Sequence, residues 1–263
     1  MRSMGVRDVL TRPLYRLYED RLLADLDRSR LPRHIGVIHD GNRRYARSEG
    51  LPDIQDGYRA GMDKFLEFLN WTDELRIEAV TCWLLSKENL GRPGSELDAL
   101  YEVLIELFGK IPDVVADHGA KVSFIGSLDL LPGPLVESAK ELEERCPDGE
   151  RRITIALGYG GRQEITDAVK DLVSELADEG LESADLAEKI DADAIAGHLY
   201  TADLPDPDLV VRTSGEARLS GFLLWQSAYA EYSFVDVYWP VFRRVDFLRV
   251  LRDFSKRDRR FGQ

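Results

Sequence analysis

Six short runs rich in β-branched and aromatic residues, at 34–39, 79–85, 121–125, 153–157, 209–212 and 233–237, recur along the chain. Between most of them lie longer stretches, at 57–71, 95–115, 135–145, 163–176 and 245–257, whose apolar residues repeat every three or four positions. This succession leaves few folds open, because a helix that carries the chain back across a sheet makes the strands it joins parallel. The expected fold is α/β: a single domain with a mostly parallel six-stranded central sheet flanked by helices. A chain of 263 residues suffices for one such domain with its own core, and so for one active site.

Residues 1–32 read as an N-terminal amphipathic segment ahead of a domain at 33–263. Val9, Leu10, Leu14, Leu17, Tyr18, Leu22 and Leu26 fall at mostly helical spacing, with Arg2, Arg7, Arg12, Arg16 and Arg21 between them. Such a stripe ordinarily packs on its domain; a basic amphipathic helix also suits a membrane surface, so peripheral membrane contact is the alternative. No run of about 18 apolar residues occurs and no cleavable leader is legible, so a cytoplasmic protein is expected. Cys82 and Cys146 lack metal-ligand or Cys-x-x-Cys spacing and read as free thiols. The acidic stretch 178–193 reads as an exposed excursion. A formal net charge of −13 argues against nucleic acid as a partner, and an anionic substrate would need a local basic island.

Ligands of parallel sheets sit at the carboxyl ends of the strands. The first strand runs into His39-Asp40-Gly41-Asn42-Arg43-Arg44, where a carboxylate, a glycine and basic residues at a helix start suit a phosphate and a Mg²⁺ ion. The same residues also read as ordinary turn chemistry, with Asp40 a helix cap and the arginines solvated. The second strand ends in Ser86-Lys87-Glu88-Asn89-Leu90-Gly91-Arg92, and the fifth in Arg212-Thr213-Ser214-Gly215-Glu216-Ala217-Arg218-Leu219-Ser220. Two arginines with hydroxyls and a glycine between them suit a diphosphate, because guanidinium groups pair bidentately with its oxygens.

With Gly158-Tyr159-Gly160-Gly161-Arg162, Leu223-Leu224-Trp225-Gln226 and Ala230-Glu231, these segments stand in the order found in the cis-prenyltransferases typified by undecaprenyl diphosphate synthase, and the chain closely resembles that family over about 33–262. The resemblance implies condensation of isopentenyl diphosphate with an allylic prenyl diphosphate by a Mg²⁺-dependent homodimer. It makes Asp40 the metal aspartate, and Glu231 a glutamate that helps place the metal from the partner subunit. Asn42, Ser86 and Asn89 become catalytic candidates. Gly41, Asn42, Arg43 and Arg44 fall to the allylic diphosphate, Arg212, Arg218 and Ser220 to isopentenyl diphosphate, and Tyr58, Glu88 and Arg92 to substrate binding with no side assigned. Arg260 and Gly262 match a tail that reaches the neighbouring subunit. Leu84, where long-chain members carry Ala, implies a short product, with a polyprenyl chain the alternative if the tunnel widens along Leu97 to Phe108.

The chain departs from the family at Tyr58, where histidine is usual, at His39 for methionine, at Leu90 for an aromatic residue and at Ala217 for histidine. All-helical trans-prenyltransferases need Asp-Asp-x-x-Asp clusters, and no two aspartates are adjacent here. Two relatives of the same fold compete with the synthase reading. A noncatalytic partner subunit typically lacks the metal aspartate, which is present, and an enzyme that quenches a prenyl diphosphate with water is kept open by Tyr58.

Overall fold

The structure is a computed structural model that describes residues 15, 17–178 and 183–257. Its sheet has six strands, β1 (His34–Ile38), β2 (Ala79–Trp83), β3 (Ala120–Ile125), β4 (Arg151–Ala156), β5 (Leu209–Arg212) and β6 (Glu231–Phe234), all parallel in the spatial order β3-β4-β2-β1-β5-β6. The expected mostly parallel sheet is thus wholly parallel. β6 starts two residues earlier than its sequence signal, because its register is set by β5: Leu209 pairs with Glu231 and Arg212 with Phe234.

Strands β1, β2 and β5 are buried throughout, which is why they read as continuous apolar runs. Alternate residues serve different faces. Ile35, Val37, Val80, Cys82, Leu209 and Val211 join the large core, whereas Ile38, Trp83 and Val210 join a smaller cluster on the other side with Tyr159, Phe222 and Leu223. The helices are α1 (Asn42–Ser48), α2 (Ile54–Glu74), α3 (Gly94–Val115), α4 (Gly133–Arg145), α5 (Gly161–Asp178), α6 (Ser183–Lys189), α7 (Ala192–Gly197) and α8 (Arg244–Ser255). α2 buries Tyr58, Met62, Phe65, Phe68 and Leu69, and α3 buries Leu97, Leu100, Leu104, Leu107 and Ile111, both at helical spacing. Both cysteines are free and buried.

Residues 17–24 are helical, and Leu22 and Leu26 join the core while Leu17 stays 69% exposed. The remainder of the expected N-terminal stripe, at 1–14 and 16, lies outside the described residues. Among the described residues no helix is long and apolar enough to cross a membrane.

The strand order also locates the crevice. β1 has β2 on one side and β5 on the other, so the winding reverses between β1 and β5, and the carboxyl ends of that pair face the point where doubly wound sheets bind ligands. α1 leaves β1 at that crevice and crosses α2 at close quarters. A Cβ on Gly57 would meet the Asn42 carbonyl oxygen at 2.6 Å and the Ala46 Cβ at 2.8 Å, and one on Gly61 would meet Asn42 Oδ1 at 2.2 Å. Gly57→Ala is therefore expected to cost about 1–3 kcal/mol by overpacking, read as a lower urea midpoint with an unchanged slope. An unchanged midpoint would mean that α1 and α2 part freely.

Candidate active site

Thr213, just past β5, ties the two strand ends together: its hydroxyl donates to the Asp40 carbonyl at 2.7 Å and accepts from the Asp40 amide at 3.0 Å. The turn that follows needs Gly41, which has φ 110°, and a Cβ there would lie 2.8 Å from the Tyr238 ring. Gly41 itself is the N-cap of α1 and no side chain caps the helix. Asp40 therefore has another use. Its Oδ2 accepts from Arg212 Nη2 at 2.7 Å and its Oδ1 from Arg44 Nη2 at 3.0 Å. Burial alone would raise the Asp40 pKa, but the hydrogen bonds and charges of Arg212 and then Arg44 outweigh it and hold the carboxyl below its ordinary range. Arg212 is only 5% exposed, so its charge is answered by Asp40 and not by water.

Asp40 opens into a cavity of about 400 Å³ that collects most of the expected residues: Gly41, Asn42, Arg43, Arg44, Tyr58, Leu84, Ser86, Asn89, Arg92, Arg212 and Ser220. Ile38, Trp83 and Leu100 add an apolar wall. Counter-charges order the basic groups. Arg44 bonds Glu216 at 2.9 Å and Ser214 at 2.6 Å besides Asp40, and Arg43 and Arg92 both approach Glu96. Arg212 also donates to Ser220 Oγ at 2.8 Å and to the Arg218 carbonyl, which pins the loop after β5. That loop is strained, with Ser214 at φ 79°, Ser220 at 52° and Leu223 at 43°. Ser86 Oγ accepts from the Asn89 amide at 3.1 Å, and so holds the turn after β2.

Tyr58 donates to Glu96 at 2.9 Å, and burial pushes its pKa up to about 12, so the hydroxyl stays protonated where a histidine would titrate. His39 lies among Phe65, Phe68 and Trp239, where burial pushes its pKa down to about 3, and it acts as a neutral aromatic wall.

Three expected residues stand apart from this cavity. Arg218 is exposed and paired with Glu216. Glu88 lines the adjoining recess with Lys87, Arg162 and the shared Ser220. Glu231 opens β6 at the opposite end of the sheet, paired with Arg257 at 3.0 Å, so it does not join Asp40 within one chain. Arg260 and Gly262 lie outside the described residues. Glu96, Glu216, Arg47 and Trp83 also stand at or beside the site without a role that the sequence signals; Glu216 lies within the Arg212–Ser220 segment, whereas the chain neighbours of Glu96 do not mark it.

The sequence profile described as "Putative undecaprenyl diphosphate synthase" matches residues 38–262, and the chain belongs to that family of prenyltransferases. It is 49% identical over 255 residues to an isoprenyl transferase 1 of Corynebacterium efficiens, covering 97% of this chain and 99% of that protein. It is 50% identical over 253 residues to a (2Z,6E)-farnesyl diphosphate synthase of Thermobifida fusca, covering 95% and 97%. Among solved structures, lavandulyl diphosphate synthase from Lavandula x intermedia, in complex with dimethylallyl diphosphate, superposes with a TM-score of 0.84 at 29% identity, covering 89% of this chain and all of that one.

Among the described residues no group of three or more His, Cys, Asp or Glu side chains could hold a metal ion. A cation at Asp40 must complete its shell with water and phosphate oxygens, which is how Mg²⁺ is ordinarily held, so the donor chemistry fits. The depressed Asp40 pKa also makes a stability statement. A carboxyl whose folded pKa lies below its unfolded value stabilises the fold above the unfolded pKa of about 3.9 and loses that contribution as pH falls through the folded value. Asp40→Asn is expected to melt below the wild type at neutral pH, with the gap narrowing on acidification below about pH 4. A gap that widens with acid would contradict the pairing.

Proposed function

We propose that this chain condenses isopentenyl diphosphate with a short allylic diphosphate in the cis sense, as a Mg²⁺-dependent cytoplasmic homodimer that releases a short Z-prenyl diphosphate. The observation that carries the reading is the Asp40 carboxylate, ionised and shared by Arg212 and Arg44 at the mouth of an arginine-lined, apolar-walled cavity. Mg²⁺ held by Asp40, with Glu231 of the partner subunit helping to place it, would neutralise charge on a bound diphosphate.

The chain's own groups supply the rest. Arg43, Arg44 and Arg92 grip the allylic diphosphate and stabilise the charge that builds on it as the C–O bond breaks. Arg212, Arg218 and Ser220 hold isopentenyl diphosphate with its double bond facing the allylic carbon. The alkene's electrons form the new C–C bond, and a proton leaves isopentenyl diphosphate for an oxygen of the departed diphosphate. The Asn42 amide is too poor a base for that step and orients the reacting groups. Ile38, Trp83, Leu84 and Leu100 keep water from the allylic cation, which favours condensation over quenching.

Leu84 supports a short product, because it lines the cavity where a smaller residue would deepen it. The names of the farnesyl diphosphate synthases among the relatives support the same reading. The dimer is supported by edge strand β6 and its surroundings, where Tyr229 is 79%, Phe234 42% and Val241 43% exposed.

The test is incubation of purified protein with labelled isopentenyl diphosphate and dimethylallyl, geranyl or farnesyl diphosphate in turn. A Z-prenyl diphosphate of a few isoprene units is expected, lost on chelation and in Asp40→Ala. No incorporation with any primer would refute the activity. Arg212→Ala is expected to raise the KM for isopentenyl diphosphate by about 10- to 100-fold, the worth of a charge-assisted bond. Leu84→Ala is expected to shift products to longer chains on mass analysis, and a wild type that already makes long polyprenyl chains would remove Leu84 as the gate.

A further inference from the structure

Arg43, Tyr58 and Arg92 line the cavity; Glu96 does not. It stands behind them on the first turn of α3, with its side chain 14% exposed. Its Oε1 accepts from the Tyr58 hydroxyl at 2.9 Å and lies 3.3 Å from Arg43 Nε and 3.4 Å from Arg92 Nη1. Arg92 Nη1 also donates to the Tyr58 hydroxyl at 3.2 Å. Groups from α1, α2 and the loop after β2 thus converge on one oxygen.

The way each group is attached matters. Arg43 Nε is buried without a hydrogen bond of its own and has Glu96 Oε1 as its nearest counter-charge, while the side chain as a whole is 38% exposed, so Glu96 holds the inner edge of a guanidinium whose outer end is open. Held by Nε, Arg43 keeps both terminal amino groups without a hydrogen-bond partner among the described residues, and Arg92, held by Nη1, keeps Nη2 likewise. Tyr58 commits its one hydrogen to Glu96 and stays protonated, so it is a neutral strut and not a proton source.

We infer that Glu96 is a positioning residue for the allylic diphosphate. It does not touch the ligand; it anchors Arg43 and Arg92 from behind so that their free amino groups form a preset pair. The inference rests on the reading that these arginines receive a diphosphate. A carboxylate near an anion site ordinarily weakens binding, but here the two cations stand between it and the cavity. Ordering two long side chains in advance removes a rotamer cost that binding would otherwise carry.

The experiment is calorimetric titration, in Mg²⁺, of wild type, Glu96→Gln and Glu96→Ala with geranyl thiolodiphosphate, an unreactive allylic probe, and separately with isopentenyl diphosphate. Glu102→Gln, which removes from the helix of Glu96 an exposed carboxylate bonded to Gln55 of α2, controls for loss of bulk charge. Both Glu96 variants are expected to weaken the allylic probe by about tenfold and to leave isopentenyl diphosphate affinity unchanged; Glu96→Gln, whose amide oxygen still accepts from Tyr58, keeps the wild-type melting profile, while Glu102→Gln leaves both affinities unchanged. An unchanged or tighter allylic affinity, or equal losses for both ligands, overturns the role of Glu96. A wild type that binds no allylic probe overturns the parent reading, and this one with it.

Discussion

Arg212 meets Asp40 across the gap between β5 and β1, and the rest of the site is arranged around that contact. The pair sits where the sheet reverses its winding, so the residue after β1 and the last residue of β5 are brought side by side by strand order alone. Thr213 locks the two strand ends, and Arg212, buried and bonded at once to Asp40, Ser220 and a carbonyl of its own loop, fixes the strained 214–223 turn above the cavity. An arginine this buried is tolerable only because Asp40 answers its charge. The same carboxylate then remains ionised and partly open to the cavity.

An acidic protein that handles anions must keep its cations together without letting them repel one another or collapse onto nearby carboxylates. Here Asp40 and Glu216 hold Arg212, Arg44 and Arg218 in one run of ion pairs, and Glu96 holds Arg43 and Arg92 in a second. These carboxylates are placed to order the arginines while leaving donors over for phosphate oxygens. Rotamer freedom is thereby lost during folding and not at binding. The apolar wall of Trp83, Leu84 and Leu100 meets this polar end directly, so one cavity accepts a charged head and a hydrocarbon tail.

Much of this was legible in the sequence, for identifiable reasons. Strands buried on both faces leave unbroken apolar runs, and Gly57, Tyr58 and Gly61 fall on a face whose helical period is plain. β6 was misplaced by two residues because its half-exposed Glu231–Phe234 pattern carries little alternation. Asp40 was ambiguous because a carboxylate before Gly-Asn serves equally as a cap or a ligand, and only Gly41 taking the cap position separates the two. Glu96 carried no signal because its partners come from α1, α2 and a loop, and chain neighbours say nothing about such meetings. Arg44 likewise finds Glu216 across 172 positions. Glu231 lies at the far end of its own sheet by the register of β5 with β6, a placement that motif order does not reveal.

The central claim is that the Asp40 pairing is a preformed seat for a metal-bound diphosphate. A crystal structure of the protein grown with Mg²⁺ and an unreactive allylic thiolodiphosphate tests it most directly. The account predicts Arg212 still on Asp40, Arg44 turned from Asp40 to the diphosphate, and the cation against the freed carboxylate oxygen. A diphosphate bound elsewhere, or bound in this cavity with the Asp40–Arg44 pair intact and no cation at Asp40, would contradict it.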